Sequence, residues 1–183
     1  MSKVAGANGN LFEDARTWPA IGTASLSGYE RSRVLVNRGL AGWNDVASQV
    51  GVTDEYDGRA VVLVDLFNHG VLDVVVANQK QPALVYKNSV PPGNHWIAFK
   101  LVGTRSNRSA IGAEVTLDAG AARQLQTVNG GMGFASQNDR RLHFGLGPTG
   151  RADRVVIRWP SGTVQTIEHP AVDRLHVVTE PDR

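Results

Sequence analysis

The sequence predicts an all-β protein: a partial β-propeller-type blade meander followed by a β-sandwich-like domain. Three observations carry that expectation. Short runs rich in Val and Leu recur between turn residues. Glycine is abundant, 20 of 183 residues, while helix-favouring runs are few. Regular strand signals joined by Gly/Pro turns then argue for a sandwich or a small barrel.

From the N-terminus, RVLVNRGLAGWNDVASQVGV (33–52) opens as LVYKNSV (84–90) does, with an apolar triplet, a nearby basic residue and Asn. Faint repeats of this kind suggest propeller blades. Residues 44–51 read as a short helical turn capped by Asn44 or Asp45. VVLVDL (61–66), LDVVVAN (72–78) and ALVYKN (83–88) are three successive strands of a meander. FNHG separates the first two, with Gly70 where a positive φ costs little. Pro82 marks the start or edge of the third, because it cannot donate to a ladder. PPGN (91–94) breaks the chain and places a domain boundary there, giving domains at 1–90 and 94–180.

In the second domain WIAFKLV (96–102) alternates, with the purely apolar set Ile97, Phe99 and Leu101 expected in the core and Trp96, Ala98 and Lys100 on the other face. Residues 113–128 read as a hairpin turning near Ala119-Gly120, and 154–168 as another turning at PSG (160–162). NGGMGFASQND (129–139) is a Gly-rich connection, LHFGLG (142–147) a short strand, and RLHVVT (174–179) the last one.

Composition narrows the function. Cysteine is absent, which excludes disulfides, thiolate metal sites and Cys nucleophiles. Residues 91–160 hold 9 Lys/Arg against 4 Asp/Glu, but these are scattered as on solvated strand faces. No basic run interleaved with aromatics points to nucleic acid. No apolar run reaches the roughly 20 residues of a membrane helix. The start, MSKVAGANGNLFEDARTW, lacks the apolar core of an export signal.

NRGLAGWNDVASQVGV with DGRAVVLVDLFNHGVLDVVVANQKQPALVYKN resembles FG-GAP (VCBS-type) β-propeller repeats. NHWIAFKLVGTRSNRSAIGAEVTLDAG, GGMGFASQNDRRLHFGLG and RVVIRWPSGTVQT resemble the ASPIC/UnbV domain found after such repeats. SNRSAIGA, SQNDRRLHFGLG and WPSG fall in order at the family's spacing. The resemblance, to a family that includes bacterial proteins and animal cartilage acidic proteins, implies a calcium-binding propeller, a C-terminal β domain and an extracellular or periplasmic setting. The blade-like part is too short for a closed propeller of four or more blades. The sequence therefore reads as a fragment, a reduced form, or a subunit that borrows neighbours.

VDLFNHGVLD (64–73) has the rhythm of a calcium loop between two strands. Asp65, the Val71 carbonyl and Asp73 are its candidate metal ligands, but Phe67 supplies no oxygen and His69 suits zinc or copper better than calcium. Two carboxylates and a carbonyl would hold Ca2+ only weakly, and the expected role of Asp65 and Asp73 is to cap loop amides. TDEYDG (53–58) reads as a solvated turn. A polar group on the two most family-specific loops, Ser106, Asn107, Arg108 and Ser109 with Gln137, Asn138, Arg140 and Arg141, would form a cleft for hydroxyls or carboxylates if the loops meet. Otherwise these side chains tie the loops together.

No enzyme motif emerges. Ser136, His143 and Asp139 lack a nucleophile-elbow context, and no helix follows GGMGF to aim amides at a phosphate. His143 and His176 are expected as packed or edge histidines. The functional expectation is a non-catalytic module binding a protein or a glycan. The alternative is an enzyme or accessory factor of bacterial natural-product biosynthesis that uses the Asn/Arg loops. A blade edge left open would favour self-association.

Overall fold

The computed structural model describes residues 22, 25, 29–90, 92–133 and 136–182. Of the segments assigned above, 1–21, 23–24 and 26–28 of the first domain, Pro91 of the PPGN break, and Phe134 and Ala135 of the Gly-rich connection lie outside the described residues. The protein is all-β, with several antiparallel sheets and none closed into a barrel. No helix among the described residues is long and apolar enough to cross a membrane. The chain divides into two compact units, Met1–Arg59 with Ala77–Ala83, and Ala60–Val76 with Leu84–Arg183.

In the first unit β1 (Leu35–Asn37) and β2 (Trp43–Asp45) pair antiparallel, Val36 opposite Asn44. A 3-10 turn at Gly39–Ala41 joins them. A second, at Ala47–Val50, is the helical turn expected at 44–51. Its N-cap residue is Val46 rather than Asn44 or Asp45. Asp45 acts from one residue further out, accepting the Ala47 N–H at 3.0 Å.

The meander forms as expected: β3 (Gly58–Val64), β4 (Asp73–Asn78) and β5 (Leu84–Tyr86) make one sheet in the order β3-β4-β5. The remaining strands are β6 (His95–Val102), β7 (Glu114–Ala119), β8 (Ala122–Thr127), β9 (Leu142–Gly147), β10 (Arg154–Arg158), β11 (Val164–Glu168) and β12 (Arg174–Thr179). They build a four-stranded sheet, β11-β10-β7-β8, and a three-stranded one, β12-β6-β9. Both hairpins turn where the sequence places them, and Trp159 and Thr163 close the PSG turn through a 2.9 Å N–H···O bond.

Alternation decides what these sheets enclose. Ile97, Phe99 and Leu101 of β6 point inward with Val115 and Leu117 of β7, Val155 and Ile157 of β10, and Phe144 of β9. Phe99 meets Phe144 edge to face at 6.0 Å and is flanked by the His176 ring at 5.5 Å. The opposite face of β6 departs from the simple alternation. Lys100 is exposed, but Ala98 is buried and Trp96 half-buried, so something covers the sheet there.

One pairing is parallel: β12 lies beside β6 with Leu175 opposite Ala98 and Val178 opposite Leu101. Parallel neighbours need a crossover connection, and here the rest of the sandwich supplies it.

Replacing Phe99 by Ala removes the side chain at the centre of this packing. We expect a loss of about 3–5 kcal/mol, read by denaturant unfolding, whereas Lys100→Ala on the same strand stays within about 0.5 kcal/mol.

Candidate functional site

The loop between β3 and β4 begins with Asp65 and ends at Asp73, both buried. Asp65 Oδ1 accepts the His69 N–H at 3.0 Å and Oδ2 the Gly70 N–H at 2.8 Å. Asp73 Oδ2 accepts the Leu66 N–H at 3.3 Å, and Oδ1 accepts that of Asn88 at 2.8 Å. Each carboxylate oxygen thus satisfies a backbone amide that would otherwise be stranded. Ligand atoms of Asp65, His69 and Asp73 lie within 4.8 Å of one another. Phe67 stacks on His69 at 5.6 Å, and Lys87 sits over the Phe67 ring. Calcium requires six to eight oxygens. The cluster offers it two carboxylates, whose four oxygens each accept a backbone amide, and one imidazole.

Gly70 explains what covers β6. Its φ is +81°, and a Cβ on it would lie 1.9 Å from Trp96 Cε2. Only glycine lets the loop lie this close to the indole. The Gly70 carbonyl accepts a hydrogen bond from His143 Nε2 at 2.7 Å, and the His143 ring lies parallel to Trp96 within 6°, centroids 5.6 Å apart. His143 is therefore the packed histidine the sequence suggested. Arg141 locks the loop from the other side, with Nη1 donating to Asn68 Oδ1 at 2.7 Å and Nη2 to the Asp65 carbonyl at 3.1 Å, while its Nε pairs with Asp139. Asn138 Oδ1 accepts the Leu63 N–H at 2.9 Å.

The polar group picked from the sequence thus divides. Asn138 and Arg141 serve the loop between β3 and β4. Ser109 and Arg140 join the two family-specific loops through a 2.8 Å hydrogen bond. With its amide oriented to satisfy both neighbours, Gln137 accepts from Arg140 and donates to the Gly130 carbonyl. Asn107 clamps its own loop through Ile111, accepting its N–H and donating to its carbonyl, both at 2.9 Å. Arg108 is exposed.

Ser106 belongs to a centre the sequence did not reveal. Glu180, 2% exposed, accepts the N–H groups of Thr104, Arg105 and Ser106 on Oε2 at 2.9, 3.0 and 2.7 Å. The Ser106 and Ser161 hydroxyls donate to Oε1. Burial pushes this carboxyl up, but the Ser161 hydroxyl and the Ser106 and Thr104 N–H groups outweigh it and bring it down to about 2. The SNRS and WPSG motifs therefore converge on one anion. No pattern around Glu180 marks it; only the late strand that it follows could have been noticed.

Three clefts surround the seat of Gly70. One of about 370 Å³ runs past Leu72, Ala98, Arg141 and Leu175. A second of about 370 Å³ holds Asn138, Arg140 and Arg141 from the expected set, next to Leu63 and Met132. The largest, about 550 Å³, lies between His69, Asn88, Asn94, His95 and Trp96. On its rim His95 Nδ1 meets Asp173 Oδ2 at 2.7 Å. That bond holds the Asp173 carboxyl below its ordinary value, helped by the Trp96 N–H and opposed by burial.

Two outcomes are expected from this geometry. Gly70→Ala strains φ and collides with Trp96, so it should destabilise the protein by more than ~1 kcal/mol and change the tryptophan emission, both read in a fluorescence melt. Because the Glu180 carboxyl lies below its ordinary value of 4.5, its contribution is complete above that pH and is lost as pH falls toward about 2. Glu180→Gln should therefore melt lower at neutral pH and show a flatter decline on acidification than the parent, in a series of melts across that range.

Comparison with known proteins places the second half of the chain. Cartilage acidic protein 1 of Xenopus tropicalis is 29% identical over 122 residues, 63% of this chain and 18% of its own length. The Homo sapiens and Mus musculus proteins of the same name are 30% identical over 114 residues, 59% of this chain and 17% of their own length. The chain thus spans less than a fifth of these relatives. Residues 103–183 match the ASPIC and UnbV family, and it is in that stretch that Ser106, Ser161 and Glu180 meet.

Proposed function

We propose that the chain is a non-catalytic binding module that takes its ligand beside the seat of Gly70 on Trp96. The observation that carries this reading is the largest cleft, whose walls are fixed by Gly70, His143 and the His95–Asp173 pair before any ligand arrives. Preformed clefts of roughly 300–1,000 Å³ are the usual form of small-ligand sites. The acids with clear shifts, Glu180, Asp118 and Asp173, all move down. They are stable anions, which suits holding a scaffold better than moving protons. Asn107 and Arg140 spend their polar atoms on loop contacts, which weighs against the accessory-enzyme alternative. The relatives' name, cartilage acidic protein, supports an extracellular setting.

A two-dimensional NMR screen with small polar and aromatic fragments tests the reading. Perturbations should cluster at Trp96, His143 and Gly145, with scattered or absent shifts overturning it. In the same reading the loop from Asp65 to Asp73 is a clasp rather than a calcium site. Millimolar Ca2+ or EDTA should leave the melting temperature unchanged, and a calcium-dependent rise lost in Asp73→Ala would reverse that assignment.

A second reading, self-association, draws on Val61, Leu63 and Val85, which leave the β3-β4-β5 sheet exposed. Sedimentation velocity checks it, since Val85→Lys should convert any dimer to monomer.

A further inference from the structure

We propose that the largest cleft recognises a neutral glycan; the inference rests on the binding reading above and names its ligand class. Three features of the cleft choose that chemistry. The first is charge. Its rim carboxylate, Asp173, is paired with His95. No Lys or Arg lines it among the described residues. Its lining is therefore close to neutral and offers little to pair with a charged ligand.

The second feature is unspent neutral hydrogen-bonding capacity. The Asn94 amide, the Asn88 Oδ1 and the ring Nε2 atoms of His69 and His95 bond to nothing among the described residues, and all four residues line the cleft. Amides and imidazoles of this kind offer donors and acceptors together, which is what vicinal hydroxyl groups need, since each of those is also both. Trp96 and His143, stacked on each other within 6°, also line the cleft and give it an apolar wall beside those polar groups.

The third feature separates a sugar from a peptide. An extended peptide would add to the free edge of β9, at Gly145 and His143. That edge is already capped: Gln124 Nε2 donates to the Gly145 carbonyl at 2.8 Å and Gln126 Nε2 to that of His143 at 2.6 Å. A ligand must use side-chain groups instead, as a glycan does.

The test is a titration of the isotope-labelled full chain with neutral methyl glycosides of galactose, mannose and N-acetylglucosamine. Glucuronate and trialanine serve as anionic and peptide probes. At least one neutral glycoside should move the Trp96 indole, Asn94 and His95 signals. Asn94→Ala, an exposed change that leaves the fold intact, should weaken that binding by roughly three- to tenfold. Shifts at these residues from glucuronate or trialanine but from no neutral glycoside overturn the ligand class and leave the binding reading standing. Silence at these residues from all probes and from the fragment screen overturns both.

Discussion

The contact on which the functional half of this molecule depends is the bare Cα of Gly70 lying on the indole of Trp96. A sandwich sheet normally turns one face to its partner and the other to water. Here the outer face of β6 is covered by a loop from an earlier meander, and that coverage buries Ala98 and orders His143. Without the approach that glycine permits, the loop would stand off by the width of a side chain. The clefts on either side would then be open sheet surface.

Asp57 takes the Ser25 hydroxyl on its carboxylate, but three of the buried acids share another device. Asp65, Asp73 and Glu180 are all held by backbone N–H groups. None has a Lys or Arg on its carboxylate among the described residues. Such anions act as knots: each gathers amides from segments that have no ladder to join. Asp73 ties the segment after β5 to the start of β4, and Glu180 ties the end of β12 to the turn after β6. Half-buried Asp118 is different, since two guanidinium groups, Arg123 and Arg154, bracket it across three strands and bring it to about 2. Amide knots leave arginines free for loop-to-loop work, as Arg140 and Arg141 show.

Much of the fold was legible because alternation and turn chemistry are local. The apolar set Ile97, Phe99 and Leu101, the hairpins at Gly120 and at PSG, and the meander around Gly70 all follow from residues within a few positions of each other. The parallel partner of β6 was not legible, because nothing in RLHVVT states which strand it will join. Nor was the covering of Trp96, which requires knowing that a loop some 25 residues away lies on it. The site shows the same divide. The amide-capping role expected of Asp65 and Asp73 is local and matches the geometry. The fate of Asn138, Arg140 and Arg141 depended on which loops meet, and Glu180 on where β12 ends.

The parallel pairing of β6 and β12 also governs how the sandwich can be strung to anything else. Were the two strands antiparallel, the chain would arrive and depart side by side, as an insert does. Because they run the same way, it arrives at the His95 end and departs at the Thr179 end, six paired residues or about 20 Å further along. A segment attached after Thr179 starts from the far end of the strand pair, away from the His95 end beside which the largest cleft lies.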